Sequence, residues 1–228
     1  MSTNELKAAA ARAAIRYVED DAYRRRHWVD GGPVHSTKLA KLKHRIKGAV
    51  ASSKPYGRSP LRFHGIPPLE ELNNPRRARP AGLHRRRRRV PLSTGAMIKG
   101  GGGALTREKI IAAVAPASSS GPSPTSRSSC PGAREIPGAR RGDPDGAQLR
   151  RATARPAGRA AGAGRMGFST DNGNLILDVS GLTILDPVDL EGRIRAIAGV
   201  VTVGLFAQRG ADTILLGTRS GLRTIEPR

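Results

Sequence analysis

Residues 170–206 read TDNGNLILDVSGLTILDPVDLEGRIRAIAGVVTVGLF, and the signals in that stretch decide the fold class. Asn172-Gly173 is the dipeptide that a two-residue hairpin loop favours, because both central residues of such a turn take positive φ. The apolar run Leu175, Ile176, Leu177 and Val179 behind it predicts a strand. Asp186-Pro187 then predicts the start of a helix, the carboxylate capping free N–H groups and the proline suiting the first turn; the helix runs through Ile197 and stops at Gly199. VVTVGLF at 200–206 reads as a further strand, and ADTILLG and LRTI supply two more candidates. Strands mixed with a helix in this way predict α/β or α+β packing.

Upstream, residues 3–19, TNELKAAAARAAIRYVE, predict a helix capped at Thr3 or Asn4, with Ala10, Ala13, Ala14 and Val18 as its apolar stripe. RIKGAVASS at 45–53 and LRFHGIPPLEELN at 61–73 each predict a short strand ending in a loop. From Pro75 to Leu92 there is no hydrophobic period, and from Ala117 to Gly164 Ser, Pro, Gly, Ala and Arg alternate without a face that could be buried. The chain therefore divides into 1–115, the N-terminal part of an α/β domain with 20–37 and 75–94 disordered; 116–166, a disordered basic segment; and 167–228, a C-terminal α+β part. The expected architecture is a sheet domain with flanking helices plus a smaller α+β domain, interrupted by the disordered basic segments.

Charge follows the same division. The formal net charge is +22, aromatic residues make up 3%, and 28 glycines and 17 prolines stand among 228 residues, a profile closer to disordered or nucleic-acid-binding chains than to enzymes. Residues 167–228, however, hold six arginines, no lysine and seven acidic residues, so this third is slightly acidic and the whole excess lies upstream. A basic nucleic-acid-binding protein, with Arg85–Arg89 and 134–165 neutralising phosphates, explains the charge but not the order of the elements. Nonspecific polyanion binding is expected from the charge alone. Cys130 is the single cysteine, which excludes an internal disulfide. No apolar run reaches the roughly 18 residues that span a bilayer, and no secretory h-region is visible, so a soluble cytoplasmic protein without membrane contact is expected. His27, His35, His44, His64 and His84 show no metal-ligand spacing, and no metal is assigned.

Candidate chemistry concentrates in MIKGGGGALTREKIIAAV, residues 97–114, where a glycine run opens into a helix with Ile110, Ile111 and Val114 on one face. The backbone N–H groups of the run can form a concave nest for an anion, with the helix N-terminus adding partial positive charge; a glycine run alone equally suits a flexible linker. Glu108 lies nine residues after Lys99, on the first turns of the helix. There a carboxylate can reach back over the loop and act as a base, or simply sit in solvent where the helix dipole favours it.

The segment MIKGGGGALTREKIIA resembles the catalytic segment of type A ribose-5-phosphate isomerases, and the run from TDNGNLILDV through GVVTVGLFAQRGAD resembles that family's C-terminal part. NELKAAAARAAIRYVE, GAVASS and HGIPPLEELN are similar to its first helix and two early strands, so a little over half the chain carries the resemblance, in the family's order. The resemblance implies an α/β aldose-ketose isomerase that interconverts ribose 5-phosphate and ribulose 5-phosphate through an enediolate, in the non-oxidative branch of the pentose phosphate pathway. It implies a small sugar phosphate as substrate, no cofactor or metal, and a homo-oligomer. It further implies Glu108 as the proton-transferring carboxylate, Lys99, Gly100, Gly101 and Gly102 as a substrate-binding loop that stabilises developing negative charge, and Lys7 as a phosphate contact.

Three of the family's motifs are missing: a GTGST phosphate loop, a DGAD pair of aspartates and a lysine in a segment like ADESK. A GC-rich gene read one base out turns Asp, Gly and Ala codons into arginine-rich text. RRHWVDG at 25–31, encoded as CGT CGG CAC TGG GTC GAC GG, reads VGTGST when one base is dropped. In the same way RRRRRV at 85–90 yields DGADE, GDPDGAQL at 142–149 yields VIPMARS, and residues 122–131, shifted the other way, yield IADESKLVP. Frame shifts in the gene or its read are therefore expected at these stretches. Impaired turnover is expected with them, because proton transfer and charge stabilisation need groups held close to productive geometry.

Overall fold

The computed structural model describes residues 3–17, 27–29, 37–46, 48–53, 59–69, 82–86, 94–114, 118–122, 136–140, 161–180, 182, 184–218 and 221–227. Its helices are α1 (Thr3–Ala14), α2 (Ser59–Phe63), α3 (Leu105–Val114) and α4 (Pro187–Arg195). The strands, in chain order, are β1 (His27–Val29), β2 (Ala49–Val50), β3 (Pro68–Leu69), β4 (Gly82–Arg86), β5 (Met97–Ile98), β6 (Ser118–Pro122), β7 (Ile136–Arg140), β8 (Ala161–Ser169), β9 (Leu175–Ser180), β10 (Val200–Val203), β11 (Leu205–Phe206), β12 (Thr213–Thr218) and β13 (Gly221–Ile225). A seven-stranded sheet has the order β13-β12-β6-β4-β1-β2-β3, parallel throughout except for the β12–β13 hairpin at one edge. A four-stranded antiparallel sheet has the order β10-β7-β9-β8, and β5 and β11 make a two-stranded antiparallel ribbon. The fold is α/β, with a second, antiparallel sheet beside the main one. No helix among the described residues is long and apolar enough to cross a membrane.

The C-terminal stretch folds much as its residues predict. The turn at Asn172-Gly173 joins β8 to β9, with the Thr170 and Gly173 N–H groups donating to Asn174 and Thr170 carbonyls, each at 2.9 Å. At α4 the Asp186 carboxylate accepts from the N–H of Val188 at 2.9 Å and of Asp189 at 3.0 Å, satisfying donors that have no partner inside the helix. Asp186→Ala is expected to cost about 1 kcal/mol, read as a shift in the urea midpoint; an unchanged midpoint would show that solvent satisfies these donors equally well. The expected strand at 200–206 is divided at Gly204 into β10 and β11, which belong to different sheets.

Elsewhere the structure departs from the periodicity. In 61–73 the first residues close a turn of helix, α2, and among the described residues, which end at Leu69, Pro68–Leu69 forms the strand. Pro60 in the first turn explains it, since its fixed φ suits a helix start. The α1 helix gives way to a short 3-10 turn at Ile15–Tyr17, and Val18 and Glu19, the last residues of the expected helix, lie outside the described residues. β1, β4, β6, β7 and most of β8 lie in basic or small-residue stretches where no element is expected. Periodicity reports which side chains are buried, whereas strand pairing is made by backbone groups that every residue but proline supplies in full. β4 and β6 pair over five residue positions without an apolar alternation in either.

Two apolar clusters of the core lie on either side of the β5–β11 ribbon, and a third, around Leu39, Ala49 and Leu61, is separate from them. Ile98 and Leu205 are paired in register and face one apolar cluster with Leu177, Val179, Leu182, Ile184, Ile194 and Val203. Met97 and Phe206, the other register pair, face a second cluster with Ala112, Ala211 and Ile214. Successive strand residues point to opposite faces, so the next residue after Ile98 is directed to the Met97 and Phe206 side. That residue is Lys99.

Candidate active site

Lys99 continues from β5, and its backbone N–H donates to the Gly204 carbonyl at 2.8 Å, which prolongs the ribbon by one residue. Lys99 is 2% exposed, and its ammonium lies 5.9 Å from the centre of the Phe206 ring. The glycine run then turns the chain into α3. Gly100 has φ +86°, and a Cβ there would stand 2.5 Å from Leu105 Cβ; Gly103 has φ +82°, and a Cβ there would stand 2.4 Å from the Phe168 ring. Both positions therefore require glycine. Gly102, by contrast, faces open space. The loop is a tight, packed turn whose Gly103 N–H donates to the Gly100 carbonyl at 2.8 Å, and not a flexible linker.

Glu108 lies in the first turns of α3, 6% exposed, on the inward face with Leu105, Ile111 and Ala112. The expected apolar face is corrected here: Ile111 is fully buried, but Ile110 is 42% exposed, because the carboxylate occupies the inward direction at that turn. Glu108 Oε1 and Lys99 Nζ are 3.5 Å apart. An isolated buried charge costs several kcal/mol, so each of the two makes the other tenable. The helix N-terminus adds partial positive charge on the Glu108 side. Such a carboxylate is shielded from bulk water and faces a fixed lysine, an arrangement that suits a general base with a group beside it able to stabilise an oxyanion.

A second pair starts from the next residue of α3. Lys109 Nζ donates to Glu191 Oε1 at 2.5 Å and to the Leu205 carbonyl at 2.6 Å, and it lies 4.5 Å from the centre of the same Phe206 ring. Glu191, on α4, is 2% exposed. Burial pulls the Lys109 ammonium below the ordinary lysine value of 10.5; Glu191 opposes the fall and Arg195 adds to it. A lysine whose folded value is depressed binds its proton more weakly folded than unfolded, so stability rises with pH from the folded value up to 10.5 and is lost on the way down. Wild type is therefore expected to gain stability over Lys109→Met as pH is raised toward that limit. A difference that stays flat across the alkaline range would contradict it.

Of the residues singled out in the sequence, Lys99, Gly100, Gly101, Gly102 and Glu108 come together in this one turn and helix start. Lys7 lies on α1, and its side chain is outside the described residues. Lys109, Glu191 and Phe206 were not legible as a group, since they meet only in the fold. In the fold Glu191 shares the inward face of α4 with Pro187 and Ile194, where an apolar residue would be ordinary.

A model of the family ribose 5-phosphate isomerase A (phosphoriboisomerase A) matches residues 146–221. Among solved structures, ribose 5-phosphate isomerase A from Neisseria gonorrhoeae is similar over 100% of this chain and 98% of its own, with a TM-score of 0.82 and 29% identity. Ribose 5-phosphate isomerase A from Methanocaldococcus jannaschii is similar over 99% of this chain and 100% of its own, with a TM-score of 0.76 and 25% identity. A D-ribose-5-phosphate isomerase in complex with phospho-erythronic acid gives a TM-score of 0.77 at 26% identity, over 99% of this chain and 100% of that one.

Proposed function

Since the chain belongs to the type A ribose 5-phosphate isomerase family, we propose that it interconverts ribose 5-phosphate and ribulose 5-phosphate, with Glu108 as the base. The observation that carries the assignment of roles is the buried Glu108–Lys99 pair at the mouth of the glycine turn. Glu108 takes the proton from C2 of the open-chain aldose, the electron pair moves into a C1–C2 enediolate, and the same carboxylate returns a proton to C1 while the O2 proton passes to O1. Lys99 and the N–H groups of Gly100, Gly101 and Gly102 bind the substrate and offset charge on the enediolate oxygens. Lys7 is assigned to the phosphate. The phospho-erythronic acid bound by one similar enzyme is a sugar-acid phosphate, which fits a substrate of this class. We place the enzyme in the cytoplasm, as a homo-oligomer.

Of the stretches 25–31 and 85–90, which read as the phosphate loop and the aspartate pair when shifted by a base, the described residues are His27–Val29 in β1 and Arg85 and Arg86 at the end of β4, and β1 and β4 are parallel neighbours in the main sheet. As written both stretches contain arginines, and slow turnover is expected. The test is isomerase activity of the purified chain on ribose 5-phosphate in deuterated water, with Glu108→Gln as control for host enzyme. Turnover that places deuterium at C1 of the ketose supports the reading; no turnover above the control overturns it. Sequencing the gene across 25–31, 85–90, 122–131 and 142–149 tests the frame-shift account, which intact frames would end.

A further inference from the structure

Glu108 and Glu191 are the buried acidic residues among those described, and the chemistry above uses the first alone. Glu191 is engaged by three donors. Its Oε1 accepts from Lys109 at 2.5 Å, and its Oε2 accepts from the backbone N–H of Ala207 at 2.6 Å and of Gln208 at 2.9 Å. Arg195, one turn further along α4, donates to the Gln208 side-chain Oε1 at 2.6 Å, a second link from α4 to that residue. The carboxylate thus grips α3 with one oxygen and the chain directly after Phe206 with the other. From Phe206 the ribbon register runs to β5, through Phe206 opposite Met97 and Leu205 opposite Ile98, and the next residue of β5 is Lys99. On α3, the residue before Lys109 is Glu108. The two halves of the buried pair are therefore mounted on two elements that this bridge ties together.

We propose that Lys109 and Glu191 are positioning residues for the isomerisation, setting where α3 stands against the β5–β11 ribbon and so how far Glu108 lies from Lys99. The inference rests on the isomerase reading above. Stability alone is a weak reason for such a bridge, because well-packed apolar residues commonly replace a buried ion pair without loss. Placement is a stronger one: a misplacement of about 1 Å costs on the order of 10²-fold in rate.

The test uses the full chain and two readouts on Glu191→Gln. The first, amide hydrogen exchange, requires no activity. The amides of Lys99 and Glu108, bonded to Gly204 and Ala104 carbonyls, are expected to exchange at least about 10-fold faster, while that of Ala49, bonded to the Pro67 carbonyl in a separate cluster, keeps its rate. Equal acceleration at all three would make the bridge a general stability element and overturn the proposal, as would no acceleration. The second readout is kinetic: kcat is expected to fall roughly 10- to 100-fold with KM changed less than about 2-fold, and Lys109→Arg, which keeps the charge, is expected to lose less than Lys109→Met. Should Glu191→Gln not fold, Lys109→Met gives the same two measurements with the Ala207 and Gln208 contacts left in place. A wild type that turns over beside variants with unchanged kcat overturns this inference alone; a wild type with no turnover overturns the isomerase reading and this inference with it.

Discussion

Glu108→Gln is expected to lower kcat on ribose 5-phosphate by roughly 10²- to 10⁴-fold, the range that a positioned general base supplies. The substitution keeps the volume of a buried side chain, and the amide oxygen can still accept from Lys99, so geometry is largely preserved. What disappears is the basic electron pair and the counter-charge of a buried ammonium. The second loss has its own signature, a fall in stability of up to about 3–5 kcal/mol, because one member of a buried pair has been removed. Lys99→Met in the Glu108→Gln background is expected to recover part of that stability and none of the activity. Recovery of both would show that Glu108 serves the fold and not the reaction, and a single variant with wild-type kcat would remove Glu108 from the mechanism.

That pair also marks how far the sequence could be read. The glycine turn, the start of the helix after it and the two charged residues all lie within ten positions of one another, and local rules cover that distance. The hairpin at Asn172-Gly173 and the cap at Asp186 were legible for the same reason, being decided by adjacent residues. Lys109 and Glu191 stand 82 positions apart, and no local pattern joins them. Ile110 was assigned inward by its apolarity alone; burial of Glu108 on the same helix turned it outward. β4 and β6 were missed because the main sheet is assembled by backbone pairing between strands whose side chains keep no period. Resemblance, which is carried by order over long runs, reached what periodicity could not, and its reach ended at the arginine-rich stretches.

Phe206→Ala is expected to cost about 3–5 kcal/mol, the ordinary range for a fully buried phenylalanine, read from the urea midpoint at constant slope. The ring is 1% exposed and is packed with Met97, Ala112, Ala211 and Ile214, so most of the cost is cavity and lost burial. Two ammonium groups add to it, Lys109 at 4.5 Å and Lys99 at 5.9 Å from the ring centre, since the π face offsets positive charge in a region with little water. Phe206→Leu separates the contributions. Leucine refills much of the cavity but has no quadrupole, so it is expected to recover the larger part of the stability while leaving about 0.5–2 kcal/mol unrecovered. If the leucine variant matches wild type, the lysines draw nothing from the ring and are held by Glu108 and Glu191 alone. If instead the alanine variant costs under about 1 kcal/mol, the ribbon is not the wall between the two clusters that its alternating register implies, and the mounting of Lys99 on it fails as an explanation of the site.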